Sequence, residues 1–229
     1  MYENLYVSQG EVRKSLAKTF LYMGLGLVIT AITSYFLYAT GSFYWMIARM
    51  PLIPFVLLIS QFALIFSFTS AMRHSTAGKM KVLFLTYSIV MGITTTSWLY
   101  VFNFSTITLA FLISALYFVC LAIIGYTTKR DLTSLGTICL TGLGILLVSQ
   151  LVMMLFGAQM NVRIVSIIGL LIFTGITAWD MQRLNQLLIL NDGDVLAQEK
   201  ISIYMALELY MDFLNIFLYI LQLLSNNRD

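Results

Sequence analysis

The chain has 229 residues, of which 60% are apolar and only 10% are charged, and its mean hydropathy is +0.90. Soluble domains contain about 45–50% apolar and about 25% charged residues, so the composition excludes a soluble domain and indicates a membrane protein. The net charge of +3 is small, and the sequence has no basic stripe suited to nucleic acid. Two cysteines and one histidine exclude a disulfide framework and a histidine-rich zinc site, so we expect no cofactor.

Apolar runs of the length that crosses a bilayer, about 20 residues, predict seven membrane-spanning helices. The first follows a polar amino-terminal segment, and the second opens with Pro51 and Pro54, which the first turn of a helix tolerates. The connections are too short for a separate module, so we predict an all-α bundle that forms a single transmembrane domain over residues 1–229. The predicted spans are residues 20–40, 52–72, 82–102, 106–126, 135–157, 164–190 and 203–224.

The distribution of positive charge predicts the orientation of these spans, because cytoplasmic loops carry an excess of Lys and Arg. With the amino terminus inside, the predicted inner side holds Arg13, Lys14, Lys18, Arg73, Lys79, Lys81, Lys129, Arg130, Arg183 and Lys200, and the outer side holds Arg49, Arg163 and Arg228. We therefore expect a cytoplasmic amino terminus and an external carboxyl terminus.

Six glycines inside the spans are expected to allow neighbouring helices to approach closely, as small residues do in membranes. They are Gly24, Gly92, Gly142, Gly144, Gly169 and Gly175.

Three acidic residues lie inside the last two predicted spans, where a charge costs at least about 2.5–3.5 kcal/mol and marks a candidate functional site. Asp180 lies in the sixth span, and Glu208 and Asp212 lie in the seventh. Glu208 and Asp212 are four residues apart and share one helical face, with Asn215 on the same stripe. The rise of about 1.5 Å per residue puts all three acids in the cytoplasmic half of the bilayer.

Two carboxylates that approach each other in a low dielectric cannot both stay ionised cheaply. We expect the acids to share a proton that is lost near neutral pH, which makes them a candidate pH sensor and gate. Arg73 and Arg183 are the cations best placed to latch onto the acids. In a purely structural alternative, Asp180 pairs with Arg183 near the inner interface and Glu208 is an interfacial acid.

Three segments in this order resemble the Bax inhibitor-one family, also called the transmembrane Bax-inhibitor-motif family. They are TTKRDLTSLG at 127–136, WDMQ at 179–182 and ALELYMDFLNIFL at 206–218. The resemblance, to a bacterial member, implies a bundle with the last helix near the centre and a pH-sensitive calcium leak. It also implies that Asp180 and Asp212 form the sensing pair and that Arg73 is the latch. Glu208 departs from the family pattern, which has a small or neutral residue there.

The leading hypothesis is therefore a pH-sensitive calcium leak channel in the bacterial plasma membrane. Asp180, Asp212 and Glu208 would supply a weak calcium site, with Glu208 and Asn215 along the ion path, because calcium prefers oxygen ligands. The expected partners are the lipid bilayer, calcium and protons.

Two alternatives from other classes remain open. The resemblance also implies a role in binding and modulating a membrane-bound protease. The second alternative is an intramembrane aspartyl protease, which also uses two aspartates on adjacent helices. Proteases of that class resemble one another in a GxGD motif at one aspartate. Here Leu209, Tyr210 and Met211 precede Asp212 without a glycine, so we expect no enzymatic activity.

Overall fold

A computed structural model describes residues 2–157 and 161–225. Arg228, predicted to lie on the outer side with the carboxyl terminus, falls outside the described residues.

The described residues form eight α-helices and no strand. The helices are α1 Tyr2–Ala39, α2 Ser42–Arg49, α3 Ile53–His74, α4 Ala77–Val101, α5 Phe104–Thr127, α6 Thr133–Leu155, α7 Val162–Leu190 and α8 Val195–Ser225. All except α2 are long and apolar enough to cross a membrane, and α8 is the most buried of the seven. The prediction of an all-α fold with seven spans is confirmed.

The helix ends follow from local turn chemistry. Gly41 between α1 and α2 has a φ of 66°, a left-handed conformation that glycine adopts without steric cost. Pro54 lies in the first turn of α3, where a missing N–H breaks no helical hydrogen bond. Thr76 caps α4 by accepting a hydrogen bond from the Lys79 N–H at 3.4 Å, and Asp194 caps α8 by accepting one from Ala197 at 2.9 Å.

Two features of the helices were not predicted. The eight-residue helix α2 is too short to show the apolar run by which the spans were recognised. The polar amino-terminal segment is also helical and continues directly into the first span. Within it Ser15 donates a hydrogen bond to Gln198 at 2.8 Å and its carbonyl accepts one from Ser202 at 3.1 Å, so Ser15 joins this polar stretch to the start of α8.

The chain divides into two compact units. The first contains the described residues up to Asn103 together with Gln186–Tyr210, and the second contains Phe104–Asn185 and the described residues from Met211 onward. Each unit therefore contains part of α7 and part of α8.

In the first unit, α1 packs along α4 and α3 packs on α4. Tyr210 of α8 is completely buried. Its hydroxyl lies 2.6 Å from that of Thr30, and its ring contacts those of Phe84 and Tyr87 edge-on. Buried hydroxyl groups in this unit therefore satisfy one another, as a membrane interior requires.

The predicted role of the six glycines is correct for half of them. A side chain at Gly92 would collide with Thr33, one at Gly169 with the Tyr219 ring, and one at Gly175 with the Cys139 sulfur. Gly142 has only ordinary contact distances, and Gly24 and Gly144 have no neighbour within 4 Å. The sequence alone does not distinguish a glycine at a helix crossing from one that faces open space.

Candidate functional site

Asp180 lies in α7 with only 4% of its surface exposed. A guanidinium nitrogen of Arg183, one turn later, is 3.9 Å from its Oδ1 atom. The Arg183 guanidinium also lies 5.4 Å from the centre of the Trp179 ring, so the arginine packs over an aromatic face while it neutralises the acid. The ion pair foreseen in both the latch and the structural interpretations is present.

Asp212 lies near the middle of α8 and is also only 4% exposed. The next residue, Phe213, contacts the rings of Phe111 and Phe118 in α5 edge-on, at centroid distances of 5.6 and 5.7 Å. The Asp212 carboxyl group is therefore withdrawn from solvent, where a charge is costly unless it is paired or hydrogen-bonded. This burial is the property that the sequence argument required of a functional acid.

Within the second unit, α7 and α8 pack closely and run antiparallel. The Ser166 hydroxyl donates a hydrogen bond to Gln222 at 2.7 Å, Gly169 leaves room for the Tyr219 ring, and the Phe173 and Tyr219 rings are 6.0 Å apart. The contacts advance along α7 while they move back along α8. They fix which residues of the two helices lie at the same level.

This register brings the two aspartates to a common level. Asp180 follows Phe173 by seven residues, and Asp212 precedes Tyr219 by seven. Seven residues are about two helical turns, so each aspartate lies on the same face of its helix as the aromatic residue from which it is counted. Because Phe173 and Tyr219 are in contact, the helix faces that carry Asp180 and Asp212 also point toward each other.

The other predicted site residues have different surroundings. Glu208 is half-buried and belongs to the first unit, as does Arg73, which is exposed in the last turn of α3. Asn215 is half-buried in the second unit, and its amide donates a hydrogen bond to the Met211 carbonyl at 2.8 Å. The structure thus associates Asp180, Asp212, Asn215 and Arg183 with one unit.

Within residues 2–157 and 161–225, no group of three or more His, Cys, Asp or Glu side chains is arranged to hold a metal ion. Asp180, Asp212 and Glu208 therefore do not form a preassembled calcium cage in this structure. Their contribution to calcium passage remains a prediction.

Gln182, two residues after Asp180, was not recognised as a site residue from the sequence. It is 8% exposed and binds the loop between α5 and α6 through three hydrogen bonds. Its Oε1 accepts from the Leu132 N–H at 2.9 Å, and its Nε2 donates to the carbonyls of Arg130 at 2.8 Å and Thr128 at 3.2 Å. The sequence did offer one indication, because Gln182 is the last residue of the WDMQ segment. Through this side chain WDMQ contacts the segment TTKRDLTSLG at 127–136.

The same loop contains an acid with a different role. Asp131 accepts hydrogen bonds from the hydroxyl and the backbone N–H of Thr133, at 2.6 and 2.9 Å. These bonds stabilise the carboxylate and hold its pKa below the ordinary value. Asp131 is exposed and therefore organises the start of α6 rather than a buried proton site.

The sequence matches the family described as Inhibitor of apoptosis-promoting Bax1 over residues 12–229. An uncharacterized protein of Deinococcus radiodurans is 32% identical, with 96% of this chain and 93% of the relative covered. One from Borreliella burgdorferi is 31% identical, with 94% and 93% covered. The inner membrane protein YbhL of Escherichia coli is 29% identical, with 93% and 92% covered. This membrane protein belongs to the Bax inhibitor-one family.

Proposed function

We propose that this chain is a pH-sensitive calcium leak whose gate is the carboxylate pair Asp180 and Asp212. The observation that carries the proposal is the burial of both acids at one level of two packed, antiparallel helices. Family membership supports a role in the membrane.

The gating step follows from the electrostatics of the pair. Two neighbouring carboxylates in a weakly polar interior repel each other when both are ionised, so they retain a shared proton to higher pH than a solvated pair does. Loss of that proton adds one negative charge between α7 and α8. The added charge pushes the helices apart and attracts a cation, so proton loss couples helix separation to cation entry.

Arg183 is the first proposed latch in this mechanism. Its guanidinium nitrogen is 3.9 Å from Asp180, close enough to form an ion pair with the acid and to compete with an entering cation. Arg73 is the second proposed latch, on the basis of the family pattern. It lies in the last turn of α3, where it is an exposed cation.

Calcium is the transported ion and not a resident cofactor in this proposal. The Asn215 amide nitrogen already binds the Met211 carbonyl, so its oxygen is the ligand that it would offer to a passing cation. Glu208 adds a half-buried carboxylate seven residues before Asn215 in α8. A path with few fixed ligands suits a leak, because conduction needs binding that is weak enough to release the ion.

The test is calcium flux in dye-loaded liposomes across about pH 5–8, where a coupled carboxyl pair is expected to titrate. We expect wild-type flux to change with pH and the flux ratio between the two ends of this range to fall to about one in Asp212→Asn and Asp180→Asn. Asp192→Asn, which removes an exposed acid from the turn before α8, is the matched control and should retain the wild-type profile.

Two results would contradict the proposal. A pH profile that persists in both Asp→Asn variants would remove the gate from this pair. Absence of flux in well-folded wild-type protein would remove the leak itself and favour the partner-binding role, in which the chain docks on a membrane-bound protease.

A further inference from the structure

A cavity of about 600 Å³ lies in the first unit. It is formed where α3 ends, α4 begins, α7 ends and α8 begins. Its volume is within the range of about 300–1,000 Å³ that is typical of small-molecule sites. Because it lies at the ends of four membrane-spanning helices, it lies at a membrane surface and not at mid-bilayer.

The cavity is lined by two opposite charges that do not neutralise each other. Lys200 is half-buried and Asp194 is exposed, both line the cavity, and no ion pair joins them among the described residues. Thr76 and Asn191 add neutral polar groups to the cavity lining. A ligand that carries both an anionic and a cationic group would complement this arrangement.

Large exposed apolar side chains flank the turn between α7 and α8, next in sequence to the cavity-lining residues Asn191 and Asp194, and one of them, Leu196, lines the cavity itself. Ile189, Leu190, Val195 and Leu196 are 56%, 79%, 61% and 73% exposed. Exposed apolar residues in such a cluster mark contact with a membrane or a partner. At the end of two spans, the surface they meet is the outer part of the lipid acyl chains.

We propose that this cavity binds the headgroup of a phospholipid that carries a phosphate and a primary ammonium group, as phosphatidylethanolamine does. The phosphate would pair with Lys200 and the ammonium with Asp194. The acyl chains would lie against the four exposed apolar side chains of this turn. Thr76 and Asn191 would supply hydrogen bonds to the remaining phosphate oxygens. The occupant is therefore a lipid of the surrounding bilayer and not a soluble metabolite.

The test is native mass spectrometry of the full chain in detergent, titrated separately with dioleoyl phosphatidylethanolamine, phosphatidylcholine and phosphatidylglycerol. We expect phosphatidylethanolamine to bind most tightly. Lys200→Gln and Asp194→Asn should each weaken it about three- to fivefold, the effect of one solvent-accessible charge contact. Asn is as good a helix cap as Asp, so Asp194→Asn removes the charge while it keeps the bond to Ala197.

The matched controls are Lys79→Gln and Asp192→Asn, which remove exposed charges near the same end of the unit but do not line the cavity. Both should bind phosphatidylethanolamine as the wild type does. Equal affinity for the three lipids would overturn the proposal. Preference for phosphatidylglycerol, weakened by Lys200→Gln alone, would also overturn it and indicate a simple anion site. A thermal unfolding curve of each variant identifies any loss of binding caused by misfolding.

Discussion

At the scale of single residues, Gln182 links the helix that carries Asp180 to the loop before α6. Replacement by Leu keeps the size of the side chain but removes all three hydrogen bonds to that loop. We expect Gln182→Leu to lower the free energy of unfolding by about 1–3 kcal/mol, because backbone groups lose their partners. The measurement is thermal unfolding in detergent. The control is Gln186→Leu, at an exposed position one turn later. If both variants lost the same free energy of unfolding, the loss would come from replacing a polar side chain of α7 and not from the bonds to the loop.

At the scale of helices, close packing of α5 against α7 depends on Gly125. A side chain added there would collide with the backbone carbonyl of Ala178, which cannot rotate away. We expect Gly125→Ala to destabilise the protein by about 1–3 kcal/mol through overpacking. Gly144→Ala on α6 is the matched control, since nothing lies within 4 Å of Gly144 and alanine is the better helix former by up to about 1 kcal/mol.

The result of this pair of substitutions is read from the unfolding temperatures in one detergent. Gly125→Ala should unfold below the wild type and Gly144→Ala at or above it. If Gly125→Ala were as stable as the wild type, α5 and α7 would not be in contact at this point. The comparison separates a packing requirement from the general effect of replacing glycine in a helix.

At the scale of the whole molecule, the composition and the length of the apolar runs predict the fold class and the number of spans. Seven apolar runs predicted the seven long helices because a bilayer imposes one element type and one length. The pattern could not reveal α2 or the helical amino-terminal segment, since the first is too short and the second is polar. It identified Asp180 and Asp212 as unusual, but their common level depends on contacts such as Phe173 with Tyr219. Gln182 was missed because a hydrogen bond to a distant loop leaves no periodic signal.

The orientation of the molecule is the remaining prediction at this scale. The turns at Asn103 and Asp192 are separated by three spans, α5, α6 and α7, so they must open on opposite sides of the membrane. The excess of Lys and Arg on one set of loops predicts that Asn103 is outside and Asp192 inside.

This orientation can be measured with single cysteines at these two exposed positions, in a chain whose Cys120 and Cys139 are replaced by alanine. An impermeant maleimide added to intact cells should label Asn103→Cys, whereas Asp192→Cys should react only after permeabilisation. The cysteine-free chain gives the background, and labelling in detergent gives the maximum. The reverse labelling pattern would show the opposite orientation, and the cavity lined by Lys200 would then lie at the external surface. Labelling of both positions from one side would contradict three crossings between them, and with them the fold itself.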